Sequence, residues 1–156
     1  MRKHNPLINS ARGGRVLSAL QRPWFTMRPP CGYGVLTTIG RVSGKPRYRC
    51  VRAVRRGNRV YLVAIKGMRT GWLRNALANP DVQLRIRSGK FGGAARKLRD
   101  EPERHLAKEA YYELLSPFEY LECANWLRGL PSRSRIRELH AGWFEQGVPL
   151  VIDLDR

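Results

Sequence analysis

Thr37-Thr38-Ile39-Gly40-Arg41-Val42-Ser43-Gly44-Lys45-Pro46-Arg47 closes one apolar run and opens the next. The run before it, from Tyr33 to Ile39, has the apolar and β-branched content of a strand, and a second strand signal follows from Tyr48 to Arg56. The stretch between them therefore reads as the turn of a hairpin. Gly40 and Gly44 can take positive φ without a Cβ clash, which lets backbone N–H groups converge on a ligand. Arg41, Lys45 and Arg47 bring full charges, and Ser43 a hydroxyl donor. Such a turn suits a phosphate or a polycarboxylate. Read more plainly, it is a basic loop that keeps a sheet edge soluble.

Outward from this turn the strand signals continue. Gly57-Asn58 is a hairpin turn, and Val60-Tyr61-Leu62-Val63-Ala64-Ile65 is a continuous apolar run that reads as a strand buried on both sides. It stops at Lys66-Gly67. Trp72 to Ala78 is a short helix ended by Asn79-Pro80. Val82, Leu84 and Ile86 alternate with Gln83, Arg85 and Arg87 as a half-buried strand, and a further strand spans Phe91 to Leu98.

After Asp100 the period changes. Asp100 with Glu103 forms a capping-box-like start, and Leu106, Ala107, Ala110, Tyr111, Leu114 and Leu115 recur at helical spacing. Further helices are expected from Pro117 to Leu127 and from Arg133 to Ala141, then a closing strand from Pro149 to Leu154. Ahead of the first strand, Asn5-Pro6 can start a helix whose basic amphipathic stripe lies on an anionic bilayer or packs on the domain. The expected architecture is α+β or mainly β: a small antiparallel barrel of about six strands with helices packed outside. It forms a single domain over 1–156, with a helical arm over 1–30, the barrel core over 33–99, helices over 100–145 and a closing strand over 148–155.

Thirty Lys and Arg against twelve Asp and Glu leave a net charge of +18, which predicts an anionic partner. Asp81 is the only acid before Asp100, so the anion-facing surface belongs to the first two thirds of the chain. The three cysteines, Cys31, Cys50 and Cys123, form no C-x-x-C pair, and the three histidines are scattered. A reducing, cytoplasmic setting and no metal site follow. No apolar run reaches the roughly 20 residues of a membrane span.

Three elements can carry chemistry. The first is the basic turn. The second is the strand end Val63-Ala64-Ile65-Lys66-Gly67 with Trp72, where small residues let a flat ring approach the backbone and Lys66 meets its anionic portion. Otherwise Trp72 is core filler and Lys66 is solvated. The third is the aromatic set Tyr111, Tyr112, Phe118, Tyr120 and Trp126, which walls a substrate pocket or fills the core beneath the helices. Tyr112 falls off the apolar stripe and is the better mouth candidate. There is no nucleophile–base constellation and no Walker or Rossmann motif, so in an enzyme a bound cofactor performs the difficult step.

The run Val35 to Arg47, the strand end Val63 to Gly67, and Trp72-Leu73-Arg74-Asn75-Ala76-Leu77-Ala78-Asn79-Pro80, in that order, resemble the deazaflavin-dependent nitroreductase family. These are split β-barrel proteins that bind coenzyme F420. The resemblance implies that Arg41, Ser43, Gly44, Lys45 and Arg47, with Arg49 nearby, hold the coenzyme's phosphate and glutamate tail. It implies that Val63, Ala64, Ile65, Lys66 and Gly67 line the deazaflavin ring and that Trp72 and Asn75 complete its pocket. The family reaction is hydride transfer to a quinone, a nitro compound or an activated double bond, with Tyr112 or Tyr120 as possible proton donors. Val42 stands where the family usually has Lys or Arg, and the loop from Gly67 to Gly71 is short for the family.

Other readings remain open at this stage. The barrel binds flavin mononucleotide, as related split barrels do, or carries coenzyme F420 without turnover. A basic nucleic-acid-binding domain also fits the charge, although no helix-turn-helix or zinc motif accompanies it. The expected partner is a small-molecule electron acceptor, with peripheral contact to an anionic membrane and a monomeric or homodimeric state.

Overall fold

The computed structural model describes residues 29–114, 120, 130 and 132–155. The expected N-terminal arm, up to residue 28, and the helix over 117–127, apart from Tyr120, lie outside the described residues. The elements are β1 (Tyr33–Ile39), β2 (Pro46–Arg52), β3 (Val54–Arg56), β4 (Arg59–Ala64), a 3₁₀ turn (Gly67–Arg69), α1 (Gly71–Ala78), β5 (Asp81–Ile86), β6 (Gly89–Lys97), α2 (Glu101–Glu113), α3 (Arg133–Gln146) and β7 (Val148–Leu154).

All strand pairs are antiparallel and form one seven-stranded sheet in the order β2-β1-β5-β6-β7-β4-β3. The two edge strands, β2 and β3, are separated in the chain by Ala53 alone. A sheet whose opposite edges are joined by one residue must curl until those edges meet, and the result is a split barrel. The expected strand from Tyr48 to Arg56 is therefore two strands, and the described residues hold seven strands against the expected six or so. The chain changes partner at Ala53: its N–H still reaches the Gly32 carbonyl at 2.8 Å, one step beyond the Tyr33–Arg52 pair, and Val54 then pairs with Tyr61 of β4.

Alternation along each strand divides the apolar residues into two cores. Leu36, Val60, Leu62, Ala64, Val82, Leu84, Leu150 and Ile152 fill the inside of the barrel together with Leu73 and Ala76 of α1. Tyr61 and Val151 face outward and pack with Ala107, Ala110 and Tyr111 of α2 and Ile136, Trp143 and Phe144 of α3. β4 is thus covered on both faces, as its unbroken apolar run predicts. β5 is buried at alternate residues, in keeping with its sequence pattern.

Helix α2 starts where expected. The Asp100 carboxylate accepts from the Glu103 N–H at 2.9 Å, while the Glu103 carboxylate reaches back to the Arg99 N–H at 2.7 Å. Its buried face is Glu103, Ala107, Ala110 and Tyr111, and Leu106, expected in the apolar stripe, is exposed. The difference arises because Glu103 takes the inward position one turn earlier, paired with Arg96 of β6. Helix α3 continues past the expected end at Ala141 to Gln146, because Trp143 and Phe144 extend its buried face.

Strand register sets the orientation of the site. Pairing of Asp81 with Ala94, Lys97 with Leu150 and Ala64 with Val148 brings the end of β1, the start of β5, the end of β6, the start of β7 and the end of β4 to one rim. The turn after Ile39 and the chain leaving Ala64 therefore share that rim. Helix α1 closes it, with Leu73 and Ala76 plugged into the barrel and Trp72 packed against the same core.

Candidate active site

The basic turn is organised by its own backbone. The Gly40 N–H donates to the Lys45 carbonyl at 2.9 Å and the Gly44 N–H to the Gly40 carbonyl at 2.7 Å. Gly44 has φ 65°, the left-handed conformation its residue type permits. Gly40 has no positive φ; it is needed for close approach, because a Cβ there would lie 2.5 Å from Ser43 Oγ. That hydroxyl accepts from the Arg47 guanidinium at 3.3 Å and from the Lys45 N–H at 3.4 Å. Arg41, Lys45 and Arg47 are all exposed and have no carboxylate partner among the described residues. A glycine-lined turn with three cations around a hydroxyl fits an anionic ligand such as a phosphate or a carboxylate.

The register of β1 with β2 directs these cations. Arg47 pairs with Thr38 and Arg49 with Leu36, so both arginines share the inward face of the curl. Tyr48 and Cys50 take the opposite face. A groove of about 770 Å³, lined by Val35, Thr37, Tyr48, Gln83 and Arg85, lies on that outer face and is separate from the cation cluster.

Asn75 joins the turn to α1. Its carboxamide oxygen accepts from the Arg41 backbone N–H and from the Arg41 guanidinium, both at 3.3 Å. Its amide nitrogen donates to Thr38 Oγ1 at 3.4 Å, and both Asn75 and Thr38 are buried. Thr38 was not singled out in the sequence. Its inward position on β1 is readable from the alternation with Leu36, but its partner lies 37 residues away. Asn75, expected beside the ring, is thus bonded to the basic turn through Arg41.

At the strand end, Ala64 is buried inside the barrel, while Val63 and Ile65 pack against the helix-side core. Lys66 is exposed, and Gly67 reverses the chain with φ 55°. Gly147 presses on this end: a Cβ there would lie 2.7 Å from the Ala64 carbonyl and 2.6 Å from that of Trp143. The short loop from Gly67 to Gly71 is one 3₁₀ turn, closed by the Thr70 N–H on the Gly67 carbonyl at 3.0 Å.

The tyrosines fall elsewhere. Tyr111 is fully buried and packs edge-on against His140 and Phe144. Tyr112 stacks on His140 with ring centroids 6.3 Å apart, and Tyr120 packs against the helix-side core. The end of α2 lies by Tyr33 and Val54, with Ala110 and Glu113 lining the same groove as those two residues. No contact among the described residues links Tyr112 or Tyr120 to the turn. No cluster of three metal-ligating side chains exists among the described residues.

The fold is that of a split-barrel protein, with a glycine-lined, cationic turn at one rim. Residues 22–121 match the family of F420H2-dependent quinone reductases, and the chain belongs to that family. It is an F420H2-dependent oxidoreductase acting on a small molecule, with coenzyme F420 as its cofactor. Among solved structures, an F420-H2 dependent reductase (FDR-A) is similar at 26% identity over 80% of this chain and 94% of that one, with a TM-score of 0.47. A protein solved as a domain-swapped dimer aligns at 20% identity over 91% and 99% of the two chains, with a TM-score of 0.55. A heme binding protein from Mycobacterium smegmatis aligns at 13% identity over 80% of this chain and 47% of that one, with a TM-score of 0.53. The last two speak for the fold alone.

Proposed function

We propose that Arg41, Ser43, Gly44, Lys45 and Arg47, with Arg49 beside them, hold the coenzyme's phosphate and glutamate tail, and that the backbone from Val63 to Gly67, with Trp72, lines its ring. The observation that carries this reading is the Arg41–Asn75 pair, which couples the cationic turn to the helix bearing Trp72. When bound, the reduced coenzyme supplies a hydride. The chain's own task is then to bind, orient and shield. The cations hold the anionic tail, and the strand end offers backbone groups to the ring edge. Leu73 and Ala76, buried under α1, exclude water from the barrel side. A quinone, a nitro compound or an activated double bond is the acceptor, and solvent supplies the proton unless Tyr112 or Tyr120 does so.

The protein acts in the cytoplasm as a monomer or homodimer, with peripheral membrane contact, and nucleic acid is not its partner. Among the described residues no helix is long and apolar enough to cross a membrane. Titration with coenzyme F420, followed by fluorescence, tests the assignment. Binding in the micromolar range or tighter is expected, with loss of roughly two powers of ten in an Arg41→Ala/Arg47→Ala variant. An unchanged affinity in that variant would remove the turn from the site. Turnover of menadione with the reduced coenzyme then separates an enzyme from a carrier.

A further inference from the structure

The same rim displays two apolar tips. Val42, at the apex of the basic turn, is 90% exposed, and Met68, in the 3₁₀ turn after the ring-lining strand end, is 51% exposed. Single exposed apolar residues are ordinary on a protein surface. These two stand out by position. They sit in the two loops that flank the proposed cofactor mouth, and the first loop is tied through Arg41 to Asn75 on the helix that follows the second.

Exposed cations surround both tips: Arg41, Lys45 and Arg47 in the first loop, and Lys66, Arg69 and Arg74 in and after the second. Neither 40–47 nor 66–74 contains an acid. Val42 also occupies a position where the resemblance leads one to expect a cation, so the turn gives up one charge for an apolar tip. The alternative of a small basic loop requires solubility at its apex, which a valine does not supply.

We propose that this rim docks on an anionic lipid bilayer, with Val42 and Met68 entering the headgroup–acyl boundary and the surrounding cations meeting lipid phosphates. Apolar insertion and electrostatic attraction reinforce one another in such a layout. A nucleic-acid duplex would satisfy the cations but offers no apolar phase to the two tips, which is why the bilayer is favoured. If Arg41, Lys45 and Arg47 are taken by the coenzyme tail, Lys66, Arg69 and Arg74 still face the headgroups. Docking of this kind opens the mouth toward lipid, from which a lipid-soluble acceptor enters without crossing water. That consequence rests on the proposed reading of the site; the docking itself does not.

The test uses the full chain in cosedimentation with vesicles of phosphatidylcholine alone and of phosphatidylcholine mixed with phosphatidylglycerol. Binding is expected to the mixed vesicles and not to the neutral ones, and to fall roughly tenfold or more in a Val42→Asp/Met68→Asp variant. Thermal melting of that variant is expected to match the wild type, because neither side chain is buried; an added carboxylate beside Arg41, Lys45 and Arg47 is expected to weaken coenzyme binding, so coenzyme titration is compared on the uncharged variant that follows. A Val42→Ser/Met68→Gln variant, which adds no charge, is expected to lose a smaller part of the binding and separates insertion from repulsion. Wild-type vesicle binding in the aspartate variant would overturn the proposal, since another part of the chain would then be the anchor. So would full displacement from the vesicles by a short DNA duplex at equal phosphate concentration. Vesicle binding that depends on Val42 and Met68 in a protein unable to bind the coenzyme would uphold the docking and overturn the site assignment instead.

Discussion

Arg41 places both its backbone N–H and its guanidinium on one acceptor, the carboxamide oxygen of Asn75, each at 3.3 Å. Asn75 is 8% exposed and spends its remaining amide hydrogen-bonding capacity on the buried Thr38. The position of a solvent-facing turn is thereby referred to a helix plugged into the barrel. Asn75→Leu keeps the volume and removes both the acceptor and the donor. Weakening of coenzyme affinity by about tenfold is expected, with a stability loss of about 1–2 kcal/mol from the unpaired Thr38 hydroxyl. Fluorescence titration and thermal melting check the two effects separately, and unchanged affinity would show that the clamp is irrelevant to the site.

Gly40 and Gly44 separate two reasons for a glycine within one turn. Alanine at Gly40 would drive a Cβ against Ser43 Oγ, an exposed side chain that can rotate away. The rotation costs little stability but takes the hydroxyl from Arg47 and the Lys45 N–H. Alanine at Gly44 meets nothing within 4 Å and pays only for φ 65°, about 1 kcal/mol. Gly40→Ala is therefore expected to lower coenzyme affinity with a nearly unchanged melting temperature, and Gly44→Ala to lower the melting temperature more than Gly40→Ala does. Calorimetry of both variants, with titration, would reveal the opposite order if Gly40 were a purely structural residue.

Much of this architecture is legible in the residues, and the limits have physical causes. β5 reads directly because its inward and outward residues differ sharply in polarity, Val82, Leu84 and Ile86 against Gln83 and Arg85. The break at Ala53 does not read, because arginines on both faces of Tyr48–Arg56 hide the alternation that would expose it. The extension of α3 is masked by Gly142, which looks like a stop, yet a Cβ there would meet nothing within 4 Å. The cationic turn is visible as a motif, but its attachment is not. A backbone N–H bonding a side chain 34 residues away leaves no periodic signature.

Gly147 has an extended-side φ of −95° and is not there for handedness. It lies at the end of α3, where the backbone carbonyls of Trp143 and Ala64 would meet an added Cβ at 2.6 and 2.7 Å. Neither atom is the end of a flexible side chain, so the helix must move off the strand end to make room. Gly147→Ala is expected to cost about 1–3 kcal/mol by overpacking and to disturb the strand end at Ala64 as well. Denaturant melts should show the loss. A stable variant with wild-type coenzyme affinity would indicate that α3 is free to shift.

Glu103 and Arg96 set the response to acid. The Arg96 guanidinium donates to both Glu103 oxygens, at 2.8 and 2.9 Å, and also to Asp153 at 2.6 Å, tying α2 to β6 and β7. The hydrogen bond from Arg96, aided by the Arg99 N–H and opposed by burial, lowers the Glu103 pKa to about 2. In the unfolded chain the carboxyl titrates near 4.3, so the folded state holds its proton less tightly. The resulting stability is present in full above that value and is lost as pH falls through it toward 2. A contribution on the order of 3 kcal/mol is expected at neutral pH, given that Glu103 is 7% exposed. Glu103→Gln should lose about this amount at pH 7 and show a flatter stability profile between about pH 5 and 2, because the linked proton is gone. Urea unfolding across that range decides the matter: parallel profiles for the two proteins would mean that the pair is not the acid-sensitive joint between the helix and the sheet.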